Sequence, residues 1–220
     1  MGRHQALLQD VYDRLLTRFG PQRWWPADTP LEMAVGAMLT QNAAWGNVAQ
    51  AIGNLKAAGL LDEPGAAERL FAQPADYLEH LIRPSGYFRV KARRLKGLLE
   101  LIVTRFGGEV EAMGELGLIA AREALLAVKG VGPETADSIL LYALDKPVFV
   151  VDAYTRRILC RHELVPEEAG YDEIQALFMD NLAADPALFN EYHALIVRLA
   201  KEHCRRRPAC GGCPLENISE

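Results

Sequence analysis

What this chain lacks removes several classes at once. No run of about 18 apolar residues occurs, so no membrane-spanning helix is expected. The opening stretch MGRHQALLQD lacks the apolar core of a secretion signal, and a cytoplasmic, reducing location is the expectation. Cysteine is scarce, with four in 220 residues. In a reducing setting those four read as thiols or metal ligands rather than disulfides. Sustained period-two alternation is missing, which disfavours a sheet. Repeats and low-complexity tracts are absent. There is no basic excess either: 24 Lys and Arg stand against 29 Asp and Glu, a net charge of −5. That argues mildly against nucleic acid as partner, but local patches decide binding. Three basic clusters qualify, Lys91-Ala-Arg93-Arg94-Leu-Lys96, Arg156-Arg157 and Arg205-Arg206-Arg207; solvated helix faces are the plainer reading of each.

What is present is helical periodicity along nearly the whole chain. Leu95, Leu98, Leu99 and Ile102 repeat at i, i+3, i+4, i+7, as do Ala136, Ile139, Leu140 and Ala143, and Tyr192, Leu195, Ile196 and Leu199. Gly, Pro and Asp clusters punctuate the segments, at Gly20-Pro21, Asp62-Glu-Pro-Gly65, Pro84-Ser-Gly86, Gly107-Gly108 and Asp145-Lys-Pro147. The pattern predicts an all-α protein of about ten helices. PVFVV at 147–151 reads as a strand in isolation but has nothing to pair with. Half the residues are hydrophobic, and a chain of this length buries roughly 70% of its unfolded surface.

The stretch LLAVKGVGPETADSIL, Leu125 to Leu140, reads as helix, tight turn, helix. Gly130-Val131-Gly132 leaves no room for an ordinary loop, and its glycines permit positive φ and a close backbone approach. Pro133 suits the first helical position, and Thr135 follows closely. Backbone N–H groups at such a helix start, with the helix dipole, make an anion site; for DNA the anion is a backbone phosphate. A plain helical corner is the other reading. Downstream, Asp152 follows an apolar run and precedes a helix, an N-cap position. It is either a structural cap, a carboxylate held at the mouth of a cleft, or both.

LLAVKGVGPETADSIL followed by VVDAYTRRIL resembles the helix–hairpin–helix DNA glycosylases with a Gly-Pro-Asp loop, the endonuclease III superfamily. The resemblance runs from about residue 25 to the end. It implies a two-lobed all-α fold: a helical barrel over 22–146 containing the hairpin, and a second lobe of 1–21 plus 147–220, with a DNA cleft and Asp152 between them. It implies that Asp152 assists cleavage of the N-glycosidic bond after the damaged nucleotide is flipped out. In bifunctional members a lysine stands where this chain has Glu134. A carboxylate forms no imine, so the resemblance implies base removal without strand cleavage.

Arg23-Trp24-Trp25-Pro26, Leu39-Thr-Gln41-Asn42-Ala-Ala-Trp45 and Ile82-Arg-Pro-Ser-Gly86-Tyr87-Phe88, leading into Lys91, look like the 3-methyladenine DNA glycosylase III branch. That likeness implies a pocket of Trp24, Trp25 and Trp45 for a cationic alkylated purine, where stacking on indole adds roughly 0.5–2 kcal/mol. It implies that Gln41, beside Asn42, fills the space left by the flipped nucleotide. Gly86, Tyr87 and Phe88 press on the opposite strand, and Lys91 belongs with the DNA-binding set, as do Gly130, Val131, Gly132 and Thr135. Core packing is the competing role for the tryptophans. A specificity for oxidised or mismatched bases stays open, as does a damage-binding module with little catalysis. The implied partner is damaged duplex DNA, bound by a monomer.

The C-terminal stretch resembles the family's iron–sulfur loop, but with a shortened first gap and Ser219 at the fourth position. Three readings stand: a [4Fe–4S] cluster on Cys204, Cys210 and Cys213 with Ser219 or another group completing it; a loop without metal; or zinc on the three thiolates with His203.

Overall fold

The computed structural model describes residues 2–22, 24 and 26–218. Among them the secondary structure is wholly helical: α1 (Arg3–Phe19), α2 (Pro30–Leu39), α3 (Trp45–Ala57), α4 (Ala66–Ala72), α5 (Ala75–Leu81), α6 (Phe88–Phe106), α7 (Leu118–Leu126), α8 (Pro133–Leu144), α9 (Ala153–Arg161), α10 (Tyr171–Met179) and α11 (Pro186–Glu202). Short 3-10 turns cover Arg83–Ser85 and Glu111–Glu115. No described helix is long and apolar enough to cross a membrane. The chain divides into two compact units, one of Met1–Pro26 with Pro147–Glu220 and one of Ala27–Lys146.

The Ala27–Lys146 unit is built on α2, α6 and α8. Every residue of α2 from Leu31 to Leu39 is buried, so this helix is apolar on all sides rather than amphipathic. Its start is fixed by Thr29, whose side chain accepts from the Glu32 amide at 3.1 Å, by Pro30 in the first turn, and by Glu32 reaching back to the Asp28 amide at 3.1 Å. Lys56 closes the arrangement with Asp28 at 2.6 Å and Glu32 at 2.8 Å. Helix α6 buries Leu95, Leu98, Leu99 and Ile102, the stripe its periodicity predicts. Helices α7 and α8 form the hairpin pair. The Arg122 guanidinium of α7 grips Asp137 of α8 at 2.7 and 3.1 Å, and Asp137 is fully buried.

The other unit packs α1 against α11. Tyr192 donates its hydroxyl to the Leu8 carbonyl at 2.8 Å and meets the ring of Tyr12 edge-on at 5.3 Å. Phe149 stacks on Phe178 at 3.7 Å and meets Phe189 edge-on at 5.6 Å. The PVFVV segment that carries Phe149 forms no strand. It is a buried extended run whose backbone is satisfied by side chains: Gln175 donates to the Phe149 carbonyl at 2.6 Å, and the Val151 amide donates to the Tyr171 hydroxyl at 3.4 Å. That run delivers the chain to Asp152 and the start of α9.

Candidate active site and nucleic-acid interface

Asp152 is the N-cap of α9. Its Oδ1 accepts from the Thr155 amide at 2.7 Å and from the Thr155 hydroxyl at 2.9 Å. Its Oδ2 lies 3.6 Å from Nε2 of His193 on α11. Burial pushes this carboxyl up, but the facing His193 and the two Thr155 bonds outweigh it, so it titrates below its usual value. The Thr155 bonds act at every pH; the charge of His193 acts only while the imidazole holds its proton. The Asp152 side chain is 15% exposed, so one edge reaches solvent. Cap and exposed carboxylate therefore coexist in one residue. His193 escapes the sequence reading. Its one signal is an imidazole on the buried stripe of α11, beside Tyr192 and close to Leu195.

The hairpin has Gly130 at φ +93°, and a Cβ there would lie 2.5 Å from the Arg94 side chain. Both conformation and space demand glycine at that position. Gly132 differs from expectation. It is the N-cap of α8, at an ordinary φ of −98°, with nothing within 4 Å of an added Cβ. Its value is open space, not positive φ. Val131 and Thr135 are buried, and the Val131 amide donates to the Val128 carbonyl at 3.0 Å. Pro133 begins α8, and Glu134 is exposed in its first turn.

Gln41 sits just beyond α2, and its amide is bound to the hairpin. Nε2 donates to the Gly130 carbonyl and the Thr135 hydroxyl, each at 3.0 Å, while Oε1 accepts from Arg94 at 2.5 Å. The residue expected to enter the duplex is thus docked on the element expected to hold a phosphate. Asn42 is exposed in the left-handed region at φ +51°. Gly86 and Tyr87 also have positive φ, +69° and +46°, and Tyr87 is 75% exposed. Phe88 is half-buried at the start of α6, with the guanidinium groups of Arg83 and Arg89 at 5.9 and 5.6 Å from its ring. Lys91 departs from the sequence reading. It is 2% exposed, and its ammonium is tied to two carbonyls, so it offers no charge to a phosphate from where it lies.

Trp45, in the first turn of α3, is half-buried. Trp24 is half-buried too, and the Lys201 ammonium stands 5.5 Å from the centre of its ring. Trp25 and Ser219, expected in the pocket and at the fourth ligand position, lie outside the described residues, as does Arg23.

In the C-terminal loop Cys204 is buried, Cys213 half-buried and Cys210 exposed; Cys160 is half-buried on α9. Arg161 donates to the Cys204 sulfur at 3.2 Å and to the Arg205 and Arg206 carbonyls at 2.6 and 3.1 Å. Arg157 donates to the Cys204 carbonyl at 2.9 Å. Nδ1 of His203 is 3.2 Å from the Ala209 carbonyl. Burial pushes the Cys213 thiol up, against thiolate formation. Among the described residues no three His, Cys, Asp or Glu side chains stand together as a metal site. Cys204, Cys210 and Cys213 as placed form no metal centre with the other described donors.

The model of the HhH-GPD superfamily of base excision DNA repair proteins matches residues 35–184. A protein of Methanocaldococcus jannaschii provisionally named a DNA repair glycosylase is 46% identical over 213 residues, covering 96% of this chain and 95% of its own. A crystal structure of the H. pylori 3-methyladenine DNA glycosylase bound to 1,N6-ethenoadenine superposes with a TM-score of 0.74 at 30% identity, covering 92% of this chain and 98% of that one. A trapped endonuclease III–DNA covalent intermediate has the same fold, with a TM-score of 0.80 at 22% identity over 98% of this chain and 94% of its own. The chain belongs to the HhH-GPD superfamily of base excision DNA repair proteins, as a DNA glycosylase.

Proposed function

We propose that this protein binds damaged duplex DNA, removes alkylated purines of the 3-methyladenine kind and leaves an abasic site without cutting the strand. The observation that carries the reading is the Asp152 carboxylate: capped on one oxygen by Thr155, facing His193 with the other, and reaching solvent along one edge. As the glycosidic bond breaks, its electron pair leaves with the base and the sugar becomes an oxocarbenium-like cation. A fixed carboxylate opposes that charge and accepts the proton of the incoming water. Because its acidity is raised, Asp152 stays an anion at neutral pH. The first turn of α8 supplies N–H groups for a backbone phosphate, and the open space at Gly132 admits it. That contact reads no sequence, which suits a protein that surveys many sites.

The absence of lyase chemistry rests on Glu134. An imine needs a neutral amine at the sugar, and a carboxylate supplies none. Lys146, nearby in sequence, is bound to the Gly114 carbonyl at 2.6 Å, and Lys91 is buried. Borohydride is expected to trap no covalent complex with damaged DNA; efficient trapping refutes this part of the reading.

The alkylated purine is supported by likeness to the 3-methyladenine glycosylase and by the tryptophans. A cationic base gains from an indole face. Trp45 follows the polar Gln41 and Asn42 and opens α3, so the stacking role is assigned to it first. A base-release screen over alkylated, oxidised and mismatched substrates, with and without alkaline work-up, tests the whole reading. Release of alkylated purines leaving alkali-labile sites is the expected result. Preference for an oxidised or mismatched base replaces the substrate class, and binding without release makes the protein a damage-binding module.

The iron–sulfur reading of Cys204, Cys210 and Cys213 is supported by their spacing in the sequence and not by their placement. Iron and sulfide analysis of protein purified without oxygen decides it, and no step of base release passes through that loop. We further propose that the protein acts as a monomer in the cytoplasm, associated with the nucleoid.

A further inference from the structure

Helix α6 carries the basic stretch Lys91-Ala-Arg93-Arg94-Leu-Lys96, and three of the four cations in that stretch bond to other segments of the fold. Lys91 Nζ donates to the Leu39 carbonyl at 2.7 Å and to the Ser85 carbonyl at 2.6 Å. Leu39 ends α2, and Ser85 ends the 3-10 turn that precedes Gly86. Both carbonyls therefore belong to helix C-termini, where oxygens lack intrahelical partners and the dipole is negative. Lys96 acts likewise at the end of α4, donating to the carbonyls of Phe71 and Gln73. Arg94 holds Gln41, which in turn holds the hairpin at Gly130 and Thr135, and the Arg94 stem fills the space a Cβ at Gly130 would need. Three separated segments thus hang from one helix: the 40–42 loop, the 86–88 loop and the hairpin. They are also the segments assigned above to the DNA.

Burial drives the Lys91 ammonium down to about 8, and the neighbouring Arg94 adds to the effect. Placing a lysine there carries a desolvation cost that an apolar residue would avoid. The two carbonyls explain why it is tolerated.

We infer that Lys91 and Arg94 are positioning residues, which hold these three segments in one register so that they enter the duplex together, and that Lys91 is not a phosphate contact. The inference rests on the glycosylase reading. Salt separates the two roles, because a lysine lying on a phosphate contributes about one unit to the slope of log K against log salt. Lys91→Met and Arg94→Met are compared with the unsubstituted protein in two measurements. One is duplex binding over a salt series; the other is extrusion of the lesion nucleotide, followed by the fluorescence of an adjacent 2-aminopurine. Lys91→Met is expected to keep the salt slope and to lose about tenfold in extrusion, since two buried carbonyls lose their donor. A slope lower by about one unit overturns the inference, and so does unchanged extrusion. If Lys91→Met fails to fold, Arg94→Met decides on extrusion alone: a loss supports the brace and an unchanged value overturns it. Unsubstituted protein that binds damaged duplex but releases no base defeats the glycosylase reading while leaving the extrusion comparison intact. Failure to bind duplex at all defeats both.

Discussion

The hairpin and the C-terminal cysteine loop are both short turns built on a glycine with positive φ, yet they are held in different ways. Gly130, at φ +93°, is packed against Arg94, and its carbonyl is taken by Gln41. Gly212, at φ +74°, has nothing within 4 Å of an added Cβ. Gln41 from the loop after α2 and Arg94 of α6 converge on the hairpin turn, and Arg122 of α7 grips Asp137 of α8. The cysteine loop is tied to α9 by Arg157 and Arg161, and its thiols reach no common centre among the described residues. The difference teaches that a glycine-bearing turn is fixed by what fills the space around it. The hairpin's geometry is complete within its own unit, whereas in the loop Arg161 holds the buried Cys204 sulfur and Cys210 is exposed.

Substitutions at paired positions sharpen that contrast. The largest effect is expected from Arg122→Met, which strips the guanidinium from a fully buried carboxylate on α8 and is expected to cost about 3 kcal/mol in denaturant unfolding. Gly130→Ala combines a left-handed backbone with a clash and is expected to cost about 2 kcal/mol. Gly212→Ala meets backbone strain alone and is expected to cost about 1 kcal/mol. Equal losses at the two glycines would break the comparison. Trp45→Ala is expected to slow release of 3-methyladenine about tenfold, the size of one cation–π contact, with little change in melting temperature. An unchanged rate removes Trp45 from the pocket.

The pH response follows from the sign of the Asp152 shift. Its folded-state value lies below the ordinary one, so its contribution to stability is complete above the unfolded carboxylate value, about 3.9. That contribution is lost only as pH falls through the lower folded value. The stability difference between the unsubstituted protein and Asp152→Asn is therefore expected to persist as pH falls to about 4 and to shrink only below it. A difference that decays already near pH 6 contradicts the assignment of an acidic carboxyl.

Much of the architecture was legible because one face of each helix must be apolar. The stripe of α6 stands where the 3.6-residue period puts it, whereas α8 from Thr135 to Leu141 and α11 from Tyr192 to Val197 are buried without a break; Asp152 and Pro133 cap and open their helices as their residue types predict. Side chains that bind distant backbone left no such trace. Lys91 reads as a surface cation in any window of sequence, and only the folded chain brings the Leu39 and Ser85 carbonyls to it. The sequence around Gln41 suggests a DNA contact, and nothing local to it announces Gly130 or Thr135. His193 was missed because its partner lies on another helix. Of the two hairpin glycines Gly130 alone takes the left-handed region, and a repeated glycine does not reveal which copy will.

Base release by Asp152→Asn, measured beside duplex binding on the same alkylated substrate, tests the central claim most directly. A carboxylate that steadies the sugar cation predicts release reduced by about 100-fold or more with binding retained. Release at the unsubstituted rate, with binding equally intact, would contradict the account.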